Sequence, residues 1–166
     1  MTRIRRIEPG DREAIRALIA GTSAFKPFEV DVAMELVDVA LTRKEQDDYH
    51  PYVLVEDDGT VVAYACFGKN AMTTGTFDLY WIAVDSTIHR GGVGRRLLTA
   101  TEEAVRILGG RLLFVETSGL PKYEPTRKFY LGTGYTLEAT IKDFYADGDD
   151  LVIIAIGNMV KPAQEA

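Results

Sequence analysis

The sequence predicts one domain of the mixed α/β (α+β) class, and three observations lead to that prediction. The chain has 166 residues, which is close to the usual size of a single domain. Its 46% hydrophobic and 27% charged residues are ordinary for a globular protein. Segments with the two-residue period of strands alternate with segments whose apolar residues recur at helical spacing. We expect the domain to cover residues 1–160 and the tail, 161–166, to be frayed.

The first part of the chain predicts a strand, two helices and a hairpin. A strand from Ile4 to Ile7 precedes a helix that Pro9 opens. One face of that helix carries the apolar residues Ile15, Leu18 and Ile19. A second helix has an apolar stripe made of Ala33, Leu36, Val37, Ala40 and Leu41. The turn Asp57-Asp58-Gly59 then joins two strands, Tyr52 to Glu56 and Val61 to Phe67.

The second part predicts a further βαβαββ succession. A strand from about Phe77 to Val84 leads to a helix whose predicted apolar face is Val93, Leu97, Ala100, Ala104, Ile107 and Leu108. The strand Arg111 to Thr117 is almost continuously apolar, which predicts that both of its faces are covered. Glu124-Pro125 opens the last helix. Two strands end the domain, Thr136 to Tyr145 and Asp150 to Ile156.

Composition excludes several classes of function. A net charge of -6 argues against binding to nucleic acid or to anionic lipid. No apolar run reaches the roughly 18 residues of a membrane span, and the N-terminus lacks a signal-peptide core, so a cytoplasmic location is expected. The single cysteine, Cys66, allows no internal disulfide, and no metal site is predicted. The sequence leaves open whether the protein forms a homodimer.

The stretch from His89 to Leu98 predicts a phosphate-binding site. Three glycines within four residues, Gly91, Gly92 and Gly94, stand between a strand and a helix. Unpaired N–H groups at a helix start attract phosphate, and glycine lets the phosphate approach the backbone. A Walker loop would need Lys-Ser or Lys-Thr where Arg95-Arg96 stand, and a dinucleotide fingerprint would need a third glycine at Leu97.

The pattern His89-x-x-Gly92-x-Gly94 is similar to the pyrophosphate loop Q/R-x-x-G-x-G/A of the GNAT superfamily of acyl-CoA N-acyltransferases. The segment Asp78 to Asp85 resembles the central strand of that family, and Phe129-Tyr130 through Gly134-Tyr135 resembles its second-helix signature, F-Y-x-x-x-G-F/Y. The resemblance covers roughly residues 76–157. It implies a twisted mixed sheet with helices on both faces and a splayed central strand pair.

The resemblance also implies a cosubstrate, acetyl-CoA, and a set of residues that bind it. The pantetheine arm would pair with the backbone of the central strand near Ile82, Ala83 and Val84. The pyrophosphate would lie on the loop formed by His89, Arg90, Gly91, Gly92, Val93, Gly94 and Arg95. His89 replaces the usual Gln or Arg, which affects only a side-chain contact.

Three residues are predicted to be catalytic. Only about one primary amine in a thousand is neutral at pH 7, so a base must remove a proton before the amine attacks acetyl-CoA. Asp78 is the first candidate for the base, and Glu116 on the next strand is the substitute. Tyr130 resembles the family tyrosine that protonates the leaving thiolate. The sequence also allows non-catalytic roles for these residues. Asp78 and Glu116 would then be solvated strand residues, and Tyr130 would be an aromatic residue packed in the core.

The acceptor is predicted to be a small or peptidic primary amine, and a cationic one is favoured. The family resemblance implies that the final hairpin borders the acceptor site, and this hairpin carries the acidic and aromatic residues Asp143, Phe144, Tyr145, Asp147, Asp149 and Asp150. The same aspartates would also suit a solvated turn. Two rival functions remain, a non-catalytic acyl-CoA sensor and a module that binds another nucleotide.

Overall fold

The computed structural model describes residues 1–88 and 91–159, and it has the predicted order of strands and helices. The elements are β1 Thr2–Arg6, α1 Arg12–Gly21, α2 Pro27–Thr42, β2 His50–Glu56, β3 Val61–Lys69, β4 Thr76–Val84, α3 Val93–Ile107, β5 Leu112–Ser118, α4 Glu124–Leu131, β6 Thr136–Ala146 and β7 Asp149–Ile156. Short 3₁₀ turns, Pro9–Asp11 and Pro121–Tyr123, precede α1 and α4.

The seven strands form one mixed sheet in the order β1-β2-β3-β4-β5-β7-β6. Strands β1 and β2, β2 and β3, β5 and β7, and β6 and β7 pair antiparallel, whereas β4 and β5 pair parallel. The β4–β5 register is short and ends with the pair Asp78–Phe114. The predicted mixed α/β class is confirmed.

The chain divides into two compact units, and β4 and α3 each contribute to both. The first unit comprises Met1–Lys69 and Tyr80–Glu103. Helices α1 and α2 bury their apolar faces in its core against β2, β3 and the end of β4. Ile15, Leu18 and Ile19 are buried there, as predicted. The buried face of α2 differs from the predicted stripe and consists of Val30, Ala33, Met34 and Val37.

The second unit comprises Asn70–Leu79 and the chain from Ala104 onward. Its buried residues come mainly from β4, β5 and β7, and Tyr130 is the buried residue of α4. Helix α4 contacts β6 and β7, and the Tyr130 ring lies 5.3 Å from the Tyr135 ring. The turn after α4 needs Gly134, whose φ is +96°. The strand β6 is the last strand of the sheet, and all eleven of its residues are exposed.

The predicted apolar face of α3 is wrong toward its C-terminal end. Ile107 and Leu108 are 76% and 43% exposed, whereas Leu98, Thr101 and Val105 are buried. The buried face is therefore rotated relative to the predicted one. The Thr101 hydroxyl donates a hydrogen bond to the Leu97 carbonyl at 2.9 Å, which satisfies its polar group inside the fold.

The prediction that β5 is covered on both faces is also wrong in part. Leu113 and Val115 on one face are buried, whereas Leu112 and Phe114 on the other face are half-buried. Glu116 on that second face is exposed.

Within the described residues, no helix is both long enough and apolar enough to pass through a lipid bilayer.

Candidate active site

The glycine turn at the start of α3 has the backbone that an anion site requires. Gly91 and Gly92 have φ angles of +104° and +65°, which L-residues with side chains rarely adopt. A Cβ atom at either position would have no neighbouring atom within 4 Å, so the turn is open. The Arg96 N–H donates to the Gly92 carbonyl at 2.9 Å, which makes Gly92 the N-cap.

The position of the N-cap shows which N–H groups at the start of α3 lack an acceptor within the helix. Val93, Gly94 and Arg95 precede the first residue whose N–H bonds inside the helix, so their N–H groups have no intrahelical acceptor. Together with the open turn, they fit an incoming pyrophosphate. His89 and Arg90, which complete the predicted loop, lie outside the described residues.

The arginine after the predicted loop has another role. The Arg96 guanidinium donates to the side-chain oxygen and to the carbonyl of Thr2 in β1. Its side chain therefore fastens α3 to the N-terminal strand of the same unit. Arg95 is exposed beside the open turn.

A bend at Asp85–Thr87 follows the end of β4. Ala83 is buried in the first unit, and Ile82 and Val84 are half-buried. The Thr87 N–H and hydroxyl both donate to the Asp85 carboxylate, at 2.8 and 2.7 Å. This Asx turn sets the direction in which the chain leaves the strand.

Asp78 and Glu116 lie on the same face of the second unit's sheet. Asp78 pairs with Phe114 across the parallel strands, and Glu116 is two residues further along β5. Side chains two apart on a strand share a face, as do those of paired residues. Burial and the Glu116 carboxylate raise the pKa of Asp78 to about 6. A carboxylate with that pKa is ionised at neutral pH and still accepts a proton readily.

A loop residue also affects this carboxylate. Asn70, in the loop between β3 and β4, acts against burial and Glu116 and lowers the pKa of Asp78. Sequence reasoning missed Asn70, because an asparagine between two strands is an ordinary turn residue. Its backbone hydrogen bond to Thr76, at the first residue of β4, becomes visible only in the structure.

Tyr130 is buried in the second unit, with 1% of its surface exposed. Its ring lies 5.3 Å from the ring of Phe129 and at the same distance from that of Tyr135. Burial raises the pKa of Tyr130, so its phenol is protonated at neutral pH. A protonated phenol is the state that a proton donor needs, and the same contacts also suit an aromatic residue that packs the core.

The loop from β5 to α4 is held by a network of hydrogen bonds. The Arg127 guanidinium donates to the carbonyls of Ser118 and Leu120, at 2.6 and 3.0 Å. The Ser118 hydroxyl donates to the Asp149 carboxylate at 2.5 Å and accepts the Leu120 N–H. The loop before the helix of Tyr130 is therefore tied to the final hairpin.

Three of the four aspartates in the final hairpin accept hydrogen bonds from the protein. Asp149 accepts from Ser118, and Asp150 accepts from the N–H of Asp143. Asp143, whose φ is +51°, accepts in turn from the N–H of Gly148. Phe144 and Tyr145 are 55% and 47% exposed. The predicted acceptor region is thus exposed and aromatic, while these three aspartates have structural partners.

Comparison with known proteins relates the whole chain to one family. The profile of the Acetyltransferase (GNAT) family matches residues 20–135. A crystal structure from Desulfovibrio desulfuricans, of a protein assigned to the GNAT family as an acetyltransferase, is 44% identical over 95% of this chain and 99% of that one, with a TM-score of 0.90. Among curated proteins, no significant match is found.

More distant structures share the fold. The ribosomal-protein-S18-alanine N-acetyltransferase of Escherichia coli is 20% identical over 100% of this chain and 99% of that chain, with a TM-score of 0.77. An aminoglycoside 6'-N-acetyltransferase, solved with coenzyme A, is 15% identical over 97% of this chain and 99% of that chain, with a TM-score of 0.73.

Proposed function

Because the chain belongs to the GNAT family of acetyltransferases, we propose that it transfers an acetyl group from acetyl-CoA directly to a primary amine. The observation that carries this proposal is the open glycine turn at the start of α3, which fits a pyrophosphate. In the proposed function residues 82–95 bind the cosubstrate, and Asp78, Glu116 and Tyr130 are the candidates for proton transfer.

In this proposal, backbone groups make the contacts with the cosubstrate. The pyrophosphate binds residues 89–95, with the N–H groups of Val93, Gly94 and Arg95 as donors. The pantetheine arm pairs with backbone groups of residues 82–84, which makes that contact independent of side chains. A backbone N–H near Val84 stabilises the oxyanion of the tetrahedral intermediate.

Proton transfers to and from the protein accompany the acetyl transfer. Asp78 takes one proton from the ammonium form of the acceptor, directly or through water, and the neutral amine attacks the thioester carbon. The C–N bond forms, the C–S bond breaks, and the thiolate takes a proton from the Tyr130 phenol. The nitrogen then loses its second proton, which restores the phenol. The products are an N-acetyl amide and coenzyme A.

The acceptor is proposed to be a small or peptidic primary amine that binds as a cation. The Asp78 and Glu116 carboxylates share a face of the sheet and would attract an ammonium group. Asp147, in the final hairpin, adds an exposed carboxylate beside the exposed rings of Phe144 and Tyr145. The KM for such an amine is expected to rise with salt concentration, since exposed charges are screened.

A sensor domain that binds acyl-CoA without turnover is the rival function, and binding combined with activity separates the two. We expect calorimetry to show acetyl-CoA binding, and a thiol-release assay over a panel of amines to show turnover. Tyr130→Phe is expected to lower kcat by roughly 10–100-fold with little change in affinity for acetyl-CoA. Binding without thiol release for any amine would favour the sensor.

A matched pair of glycine variants tests the location of the cosubstrate site. Gly92→Val is expected to weaken acetyl-CoA binding about tenfold or more. Gly59→Val is the control, because Gly59 also has a positive φ, +90°, and no atom within 4 Å of a Cβ, but lies in the β2–β3 turn. Equal binding by both variants would mean that the site lies elsewhere. Binding of ATP or NAD in preference to acetyl-CoA would contradict the proposed ligand.

A further inference from the structure

The loop between β5 and α4 begins where the pairing of β5 with β7 ends. The Gly119 N–H donates to the Asp150 carbonyl at 2.8 Å, which continues the pairing one residue beyond β5. The chain then enters the 3₁₀ turn Pro121–Tyr123, which leads directly into α4. The carbonyls of Ser118 and Leu120 flank Gly119 and therefore lie where the chain leaves the sheet.

The guanidinium of Arg127 reaches back from α4 to this point of the chain. Its Nη1 atom donates to the Ser118 carbonyl at 2.6 Å and to the Leu120 carbonyl at 3.0 Å. We call these two contacts the Arg127 clamp. Arg127 is half-buried, and hydrogen bonds from a cation are stronger than those between neutral groups. The clamp therefore holds the first half of α4 against the end of β5.

The end of β5 is itself held in place by further hydrogen bonds. Ser118 is buried, and its hydroxyl donates to the Asp149 carboxylate at 2.5 Å and accepts the Leu120 N–H at 3.1 Å. The Leu120 carbonyl also accepts the Tyr123 N–H at 3.0 Å. Because Asp149 is the first residue of β7, the clamp joins α4 to a point that is fixed to the sheet.

Tyr130 lies on the same short helix as Arg127, three residues further along α4. Side chains three residues apart are neighbours on a helix surface. At the end of α4 the Tyr130 carbonyl accepts the N–H groups of Thr133 and Tyr135, at 3.0 and 3.2 Å. An eight-residue helix is too short to be stable by itself, so the contacts at its two ends decide where it lies.

We propose that Arg127 is a positioning residue that, through the clamp, holds α4 in the place from which the Tyr130 phenol can protonate the leaving thiolate. This inference rests on the proposed function, in which Tyr130 is the proton donor as the C–S bond breaks. Arg127 then acts on turnover through Tyr130 and makes no contact with acetyl-CoA.

Two variants of Arg127 and one matched control test the clamp. Arg127→Met keeps a long unbranched side chain but removes the donors, whereas Arg127→Lys restores a cationic donor. Lys128→Met makes a similar change at the next residue of α4, which is exposed and paired with Glu124 at 2.9 Å. Thermal melts establish which variants are folded at the assay temperature, and Arg127→Lys serves alone if Arg127→Met is unfolded.

The first readout compares kcat, from thiol release with the fastest amine, with the Kd for acetyl-CoA from calorimetry. Because a displacement of about 1 Å can cost about 100-fold in rate, we expect kcat to fall about tenfold in Arg127→Met and about threefold in Arg127→Lys. The Kd should stay within about twofold of wild type, and Lys128→Met should change neither quantity. An unchanged kcat in the folded Arg127 variants, a loss confined to the Kd, or an equal loss of kcat in Lys128→Met would overturn the proposal.

The second readout is a double-mutant cycle, because a residue that acts through Tyr130 loses its effect once the phenol is removed. In the Tyr130→Phe background, the Arg127 variants are expected to lower kcat by less than about twofold. Additive losses would mean that Arg127 acts on the fold or on another group, which overturns the inference and leaves the role of Tyr130 standing. If Tyr130→Phe alone leaves kcat unchanged, the proposed proton donor is wrong, and the inference fails with it.

Discussion

Asp11 in the first unit and Asp78 in the second both lose contact with water in the fold, and their pKa values move in opposite directions. Asp11 is 6% exposed, and the guanidinium of Arg5 donates to both of its oxygens, at 2.7 and 2.9 Å. These hydrogen bonds lower the pKa of Asp11. Asp78 is half-buried, and its pKa is raised to about 6.

The difference shows that a hydrogen-bonded cation can outweigh the loss of water at a carboxylate, whereas burial beside a like charge raises the pKa. Asp11 also accepts the N–H of Glu8 at 2.7 Å, so a cation and a backbone donor compensate for its loss of water. Asp78 has a like charge as its neighbour, and Asn70 acts in the other direction. The first arrangement stabilises the fold, whereas the second leaves a carboxylate that gains from binding a proton.

The largest effect expected from this comparison is on turnover. Asp78→Asn removes the proposed base and is expected to lower kcat/KM by roughly 10²–10⁴-fold at pH 8, whereas Asp11→Asn, the same chemical change, should leave the turnover of the folded protein unchanged. In the wild type, kcat/KM should fall about tenfold per pH unit below pH about 6, where Asp78 becomes protonated. The measurement is thiol release at saturating acetyl-CoA.

A kcat/KM within about threefold of wild type in Asp78→Asn would contradict the assignment of the base. Glu116 is then the next candidate, since it lies on the same face. A loss of turnover in Asp11→Asn that exceeds its loss of folded protein would break the comparison between a structural and a reactive aspartate.

The next largest effect is on the free energy of unfolding, which the Asn substitutions of the two aspartates are expected to change in opposite directions. Asp11→Asn leaves the largely buried Arg5 without its anion and is expected to lower the free energy of unfolding at pH 7 by about 2–3 kcal/mol. The pKa of Asp11 is lowered in the fold, so its contribution is present above the ordinary value of 3.8 and is lost as the pH falls through the folded pKa. Urea unfolding at pH 7 and at a series of pH values below 3.8 measures both effects.

Asp78→Asn is expected to raise the free energy of unfolding at pH 7 by about 1 kcal/mol, a figure reduced for solvent screening of a half-buried group. Because its pKa is raised, the ionised Asp78 destabilises the fold above pH about 6. This destabilisation decreases as the pH falls from about 6 toward 3.8, the ordinary pKa of an aspartate. The gain should therefore vanish near pH 4. Asp57→Asn, at an exposed ion pair with the N-terminus, should change stability by less than about 0.5 kcal/mol. Destabilisation by Asp78→Asn at pH 7 would contradict the linkage.

The sequence predicted the fold well where periodicity and turn chemistry agree. The β2–β3 turn at Gly59 and the turn at Gly92 both require a positive φ, which glycine signals directly. Periodicity was less reliable on α3, because Thr101 is buried with its hydroxyl satisfied by the helix itself, and Ile107 is exposed at the end. A residue's type does not reveal whether a local hydrogen bond permits its burial.

The candidate site was predictable only in part. Asp78 and Glu116 were proposed from their strands, but the shared face depends on the register of β4 and β5, which pairs Asp78 with Phe114. Asn70 gave no signal, because an asparagine between two strands is an ordinary turn residue. The raised pKa of Asp78 depends on how the fold surrounds it, and no short sequence pattern indicates it.

The smallest effect expected concerns the neighbour of the reactive aspartate. Glu116→Gln removes a like charge and should lower the pKa of Asp78, so the acidic limb of kcat/KM is expected to move downward by about half a pH unit at low salt and by less at high salt. Glu138→Gln, an exposed glutamate on β6, is the matched control and should not move the limb. If Glu116→Gln instead abolishes turnover at every pH, Glu116 is the base and Asp78 its neighbour. If the limb stays in place at low salt, the charge of Glu116 does not reach Asp78, and burial alone must account for the difference between the two aspartates.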